Sequence, residues 1–270
     1  MEKLLLDGKW ELHYAPEHAG KTTAQAVKED PAYTHIEANV PGNAELDLYA
    51  AGKAPEPFWG TNLYAFRPYE FYEWWYMRAF VAPQALADRG AVLCLDGVDT
   101  FSTVYLNGTA VGETDDMMLE YRFDVTGALR EGENEIAVHI RSTVNAARNM
   151  DYPMGVRGPG WEHTDEMICV RKPGHMFGWD IAPRFVSAGL WRSVSICPKR
   201  DTYFKEVYMT TLRADRERAQ VLLKFRFAAE DPMLEGFAVQ VRGTCAESSF
   251  CETVRVKFCS DERSFWVREP

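Results

Sequence analysis

Phe101-Ser102-Thr103-Val104-Tyr105-Leu106-Asn107-Gly108-Thr109-Ala110-Val111 reads as strand, turn, strand. Phe101, Thr103 and Tyr105 alternate with Ser102, Val104 and Leu106, the two-residue period of a pleated strand. Asn107-Gly108 then supplies the two residues that best tolerate the positive φ of a tight hairpin turn. The alternation recurs along the chain. Ile136, Val138 and Ile140 interleave with Ala137, His139 and Arg141. Val221, Leu223, Phe225 and Phe227 interleave with Leu222, Lys224, Arg226 and Ala228, and Phe237, Val239 and Val241 repeat the pattern. Helical patterns are short: one over residues 41–52, stopped by Gly52, and one turn over 84–89. Many strands separated by turn residues predict an all-β protein built from sandwiches.

The 270 residues suffice for two ordinary domains or one large β domain, and 46% hydrophobic residues can fill a core. Residues 191–197 read as a closing strand, and Pro198-Lys199-Arg200-Asp201 as a polar joint. This predicts a first domain over 1–199 and a second over 200–270. Strands are expected beyond the joint at 202–212, 220–229, 236–243, 251–259 and near Phe265. An immunoglobulin-like sandwich takes about seven strands over about 100 residues. The second domain is therefore expected to be incomplete at Pro270, or unusually small. The sequence has no internal repeat and no low-complexity segment.

Forty acidic against thirty basic residues leave a net charge of −10. Such a surface repels phosphate backbones, so nucleic acid is not an expected partner, and an anionic membrane surface is not either. No apolar run approaches the ~18–20 residues of a membrane span. Glu2, Lys3, Asp7 and Lys9 interrupt the start, which lacks the apolar centre of a signal peptide. The expected compartment is the cytoplasm, or a secreted or lysosomal one if a signal has been removed. None of the six cysteines forms a CxxC pair, so spacing gives no zinc signal, and no metal or cofactor is expected. Cys94 and Cys197 read as core thiols. Cys245, Cys251 and Cys259 are near enough in sequence for a disulfide, although reduced thiols suit a non-oxidising compartment better.

The chemistry concentrates in residues 170–191, VRKPGHMFGWDIAPRFVSAGLW. Pro173-Gly174 and Gly178 make it a shaped loop. An exposed indole packs on the C–H face of a pyranose, and a carboxylate accepts hydrogen bonds from neighbouring sugar hydroxyls. Trp179 and Asp180 are the candidate sugar-binding pair. The plainer alternative puts Trp179 in the core and has Asp180 cap a turn. Trp191, like most of Trp59, Trp74, Trp75 and Tyr76, reads as packing. Asp115-Asp116 and Glu70…Glu73 read as solvated surface rather than catalytic pairs. The GxSxG nucleophile elbow, the GxxxxGK[S/T] phosphate loop and the HExxH zinc-protease motif are absent, and the glycine-rich 155–160 (GVRGPG) lacks phosphate-loop spacing. Asn107-Gly108-Thr109 is a sequon already explained by the hairpin.

Several segments together resemble glycoside hydrolase family 2, its β-mannosidases most closely. They are Leu6-Asp7-Gly8-Lys9-Trp10, Val40-Pro41-Gly42, Glu56-Pro57-Phe58-Trp59-Gly60-Thr61-Asn62, Trp74-Trp75-Tyr76, the stretch from Leu95-Asp96-Gly97 to Asn107-Gly108, and Tyr121–Thr126. The most specific runs from Arg171-Lys172-Pro173 through Phe177-Gly178-Trp179-Asp180 to Pro183-Arg184 and Ala188-Gly189-Leu190-Trp191-Arg192. The family hallmark continues Gly-Trp-Asp with Trp-Gly-Pro, whereas Ile181-Ala182 stand here, a difference that bears on loop packing and substrate choice.

The resemblance implies a galactose-binding-like jelly roll followed by the start of an immunoglobulin-like sandwich. Both catalytic glutamates would lie on a C-terminal (β/α)₈ barrel absent from these residues, so no catalytic residue is expected here and the chain alone is expected to be inactive. The implied reaction is retaining hydrolysis of terminal β-mannose, with two carboxyls about 5–5.5 Å apart. The implied partners are a β-mannoside or related oligosaccharide and that barrel. Trp179 and Asp180 would contact the terminal mannose, with Arg171, Lys172, His175 and Phe177 as loop support. The alternatives are a free-standing carbohydrate-binding protein, a scaffold, or the front of a β-galactosidase, β-glucuronidase or exo-glucosaminidase.

Overall fold

The computed structural model describes residues 3–18, 23–150, 166–229, 231, 233–245 and 248–268. The glycine-rich 155–160 lies outside the described residues. The chain divides into two units, Met1–Lys199 and Arg200–Pro270.

In the first unit the strands are β1 (Leu4–Leu5), β2 (Gly8–Pro16), β3 (Thr34–Val40), β4 (Tyr72–Ala82), β5 (Ala91–Leu95), β6 (Ser102–Leu106), β7 (Thr109–Thr114), β8 (Tyr121–Asp124), β9 (Gly132–Ile140) and β10 (Val194–Pro198). One sheet has six strands in the order β3-β2-β4-β9-β6-β7, and the other has four in the order β1-β10-β5-β8. The predicted hairpin joins β6 to β7, with Asn107 at φ 52° and Gly108 at φ 78°, the positive pair that a tight return requires.

Register explains why two faces of one sheet do different work. Ile36, Leu12, Tyr76, Val138 and Val104 are successive partners across five antiparallel strands. All five point into the core that the two sheets share with Leu93, Leu95, Val194 and Ile196. Each fully buried aliphatic side chain there stabilises the fold by about 1.5–3 kcal/mol. One residue along, His35, His13, Trp75, His139 and Thr103 form the neighbouring row. Side chains alternate across a strand, so this row belongs to the outer face. A helix, Ala24–Glu29, covers part of that face by packing Val27 with Trp75, Met77 and Ala137. Thr23 caps it by accepting a hydrogen bond from the Ala26 amide at 3.1 Å.

Both expected helices form, as Ala44–Ala50 and Gln84–Arg89. Five further elements among the described residues carry no clear periodic signal: Ala24–Glu29, Thr143–Arg148, Glu166–Cys169 and the 3₁₀ stretches Asn62–Phe71 and Gly174–Phe177. Trp74, Trp75 and Tyr76 are core, as expected, but Trp59 is 73% exposed and is not packing material.

The second unit contains β11 (Tyr203–Ala214), β12 (Arg218–Ala228), β13 (Ala238–Cys245), β14 (Ser248–Arg255) and β15 (Ser260–Arg268). They pair as β11-β12-β15 and β13-β14. Leu223, Phe225 and Phe227 from one face of β12 join Leu234, Val239 and Val256 in a small core. The strand expected over 251–259 stops at Arg255, because the chain must turn before β15. Cys251 and Cys259, on either side of that turn, are free thiols, as are Cys94 and Cys197. Burial first, and the neighbouring Cys197 second, push the Cys94 thiol up to about 12, so it is an inert core group. Among the described residues no helix is long and apolar enough to cross a membrane.

Candidate sugar-facing loop

Residues 170–191 enter and leave the sandwich at one buried point, Asp99. Its carboxylate receives the Lys172 ammonium, the Ser187 hydroxyl at 2.8 Å and the Thr100 hydroxyl at 2.5 Å. Lys172 Nζ also donates to the Ser187 carbonyl at 2.7 Å. Asp99 and Gly189 exchange backbone hydrogen bonds of 2.9 and 3.2 Å. The first and last parts of the loop are therefore fastened to the same side chain. Gly189 has φ 152°, and a Cβ there would lie 2.8 Å from Asn43 Cα and 2.9 Å from the Gly42 carbonyl. Only glycine lets this segment lie against the start of the helix Ala44–Ala50.

Glu45 on that helix is buried beside the same cluster, and its carboxylate accepts from the Ala188 amide at 3.4 Å. Burial pushes Glu45 up to about 8, against the opposing pull of its own and the Ala188 amide and of the Lys172 charge.

Beyond the anchor the chain makes a 3₁₀ turn, Gly174–Phe177, with Phe177 buried. It then doubles back. Phe185 N donates to Met176 O at 2.8 Å, and Trp179 and Ala182 exchange hydrogen bonds of 2.9 and 3.1 Å. Asp180 and Ile181 form the two-residue tip. Arg184 braces this hairpin from below. Its guanidinium meets the Glu70 carboxylate at 2.7, 3.0 and 3.1 Å, reaches Glu166 at 3.5 Å, and lies 5.5 Å from the centre of the Phe177 ring. Burial works against the Arg184 charge, but Glu70 and Glu166 outweigh it and raise its pKa above the ordinary arginine value. Phe66 packs edge-on against Phe185 at 5.4 Å, tying the 3₁₀ stretch Asn62–Phe71 to the loop.

The tip is exposed: Trp179 by 58%, Ile181 by 86%, and Asp180 beside them. Among the described residues no hydrogen bond or ion pair engages the Asp180 carboxylate. Trp179 is thus not core, and Asp180 caps nothing. The four supporting residues divide into two pairs. Lys172 and Phe177 are buried anchors, whereas Arg171 and His175 are exposed, with Arg171 Nε 3.9 Å from Asp116.

Two readings of the residues need correction, and a third residue gains a role. Glu70 and Glu73 are not solvated surface. Both are buried, Glu70 against Arg184 and Glu73 accepting from Tyr33 and His139 at 2.6 Å each. Trp191 is only half-buried: its indole N–H donates to the Met117 carbonyl at 3.0 Å and Arg192 stacks on its ring at 4.4 Å. Arg184, not among the expected site residues, is the main brace of the tip. Its place in Pro183-Arg184 was visible, but its partners lie far away in sequence.

The described residues of the first unit thus form a two-sheet all-β sandwich with one loop whose aromatic and acidic tip is exposed. Residues 17–192 match the family model described as glycosyl hydrolase 2 galactose-binding domain-like, and the chain belongs to that family. It is 28% identical over 273 aligned residues to a protein named β-mannosidase B from Thermothelomyces thermophilus, covering 97% of this chain and 30% of that protein. Among solved structures it is similar to the β-D-mannosidase from Dictyoglomus thermophilum, with TM-score 0.73 and 27% identity over 100% of this chain and 32% of that one. The Bifidobacterium dentium β-glucuronidase complexed with coumarin-3-O-glucuronide shares the fold at TM-score 0.61 and 22% identity, over 99% of this chain and 42% of that one. The chain therefore spans about a third of the length of its mannosidase relatives.

Proposed function

We propose that this chain is the non-catalytic front of a β-mannosidase-like glycoside hydrolase. In this reading residues 1–199 are a galactose-binding-like domain, residues 200–270 begin an immunoglobulin-like sandwich, and a separate barrel holds both catalytic glutamates. Trp179 and Asp180 complete the subsite for the terminal β-mannose, the indole against the ring and the carboxylate accepting from ring hydroxyls.

One observation carries the reading: the loop is fastened at its base by buried ion pairs, yet its tip presents an aromatic face and an uncommitted carboxylate. A rigid base with an unsatisfied tip is the arrangement expected of a recognition element. Buried polar groups left unpaired by the wrong sugar then supply discrimination. The names of the relatives supply the sugar.

The test is to express the entire reading frame that contains this chain and assay aryl β-mannoside, β-galactoside and β-glucuronide. The reading expects hydrolysis with β-mannoside preferred, and no turnover by the 270-residue chain alone. Turnover by the chain alone, or preference for another glycoside, contradicts it.

A further inference from the structure

Glu11 and His13 are two residues apart on β2, so they share one face of the sheet. His35 on β3 is the direct register partner of His13. These three side chains are the one grouping among the described residues whose ligand atoms converge, each within 4.8 Å of the others. The His13 and His35 rings stack with centroids 4.7 Å apart. Nothing in the sugar-facing loop uses any of the three.

His13 is 8% exposed, and its Nε2 has no hydrogen-bond partner. That atom faces the cluster, 3.7 Å from Glu11 Oε2. A buried nitrogen without a partner is costly, and a coordinate bond would satisfy it. Of the neighbouring ammonium groups, Lys9 pairs with Glu37 at 2.6 Å. Lys28 pairs with Glu135 and also, at 3.9 Å, with Glu11 Oε2, a longer contact that gives way when the carboxylate turns to the metal.

We propose that Glu11, His13 and His35 form a zinc site on the outer face of the six-stranded sheet. Two imidazoles and one carboxylate suit zinc, and the nitrogen donors disfavour magnesium and calcium. Zinc bonds of about 2.0–2.2 Å place tetrahedral ligand atoms roughly 3.4 Å apart. Closure therefore needs about an ångström of adjustment by the exposed Glu11 and His35. His13, buried on the outer face of the sheet, sets the position. Solvent supplies the fourth ligand. The ion ties β3, the edge strand, to β2, so its role is to secure the sheet.

Zn²⁺ titrated calorimetrically into the chain, freed of metal and of any affinity tag, should bind at one equivalent and raise the unfolding temperature, whereas Mg²⁺ should not. His35→Asn and Glu11→Gln, both at exposed positions, should fold normally and each weaken zinc by at least about tenfold. Cys251→Ser with Cys259→Ser should leave zinc affinity unchanged, which excludes the exposed thiols as the ligands. Absence of saturable zinc binding, retention of full affinity in His35→Asn, or loss of affinity in the double cysteine variant overturns the proposal.

Discussion

Lys172 and Asp99 are both almost fully buried, and each is the other's charge partner. Removing one leaves the other as an uncompensated buried charge, which costs about 3–5 kcal/mol. Lys172→Met is therefore expected to lower stability to urea unfolding by that amount, and Asp99→Asn by somewhat less because the amide still accepts hydrogen bonds. Glu45 gives a pH signature. Its folded-state value, pushed up to about 8, exceeds the unfolded value near 4.5. Folding thus favours its protonated form: the stability it contributes is complete below pH ~4.5 and is lost as pH rises through ~8. Glu45→Gln should flatten that decline between the two values in thermal unfolding scans. Lys172 and Trp179 show what a sequence holds at this scale. Pro173-Gly174 and Gly178 mark both as loop residues. Whether each is sunk or exposed depends on Asp99 and Glu70, partners a long way off in the chain, and no local pattern encodes that.

The elements were legible where local period and turn chemistry decided them. The β6–β7 hairpin forms around Asn107-Gly108 as read, and β12 buries Val221, Leu223, Phe225 and Phe227 as their alternation demanded. Thr143–Arg148 and the 3₁₀ stretch Asn62–Phe71 were not legible, being too short or too irregular to show a helical period and held by tertiary contacts. The zinc site escaped for a related reason. Its ligands meet across strand register rather than at a fixed spacing along the chain. The hairpin carrying Trp179 is an element whose order depends on its brace. Arg184→Met should leave Glu70 and Glu166 facing each other without the cation between them. The expected result is faster amide exchange across 176–185, with far smaller change in β4 and β9. Equal protection in the two proteins would show that backbone pairing alone orders the hairpin.

At the scale of the whole molecule, the first unit separates a buried frame from an exposed loop tip. One face of the large sheet is committed to the core, the loop is fastened at Asp99, and the tip of the loop is exposed. The chain spans 30% of the length of a mannosidase relative, so the sugar site of the proposed enzyme would have to be completed by other residues. The most direct measurement is kcat/KM for an aryl β-mannoside in the full reading-frame protein carrying Asp180→Ala. A charged hydrogen-bond acceptor is worth about 1.5–3 kcal/mol, which predicts a loss of about 10- to 100-fold with unchanged unfolding temperature. A variant that folds normally and keeps the unaltered kcat/KM would contradict the assignment of this loop to the sugar.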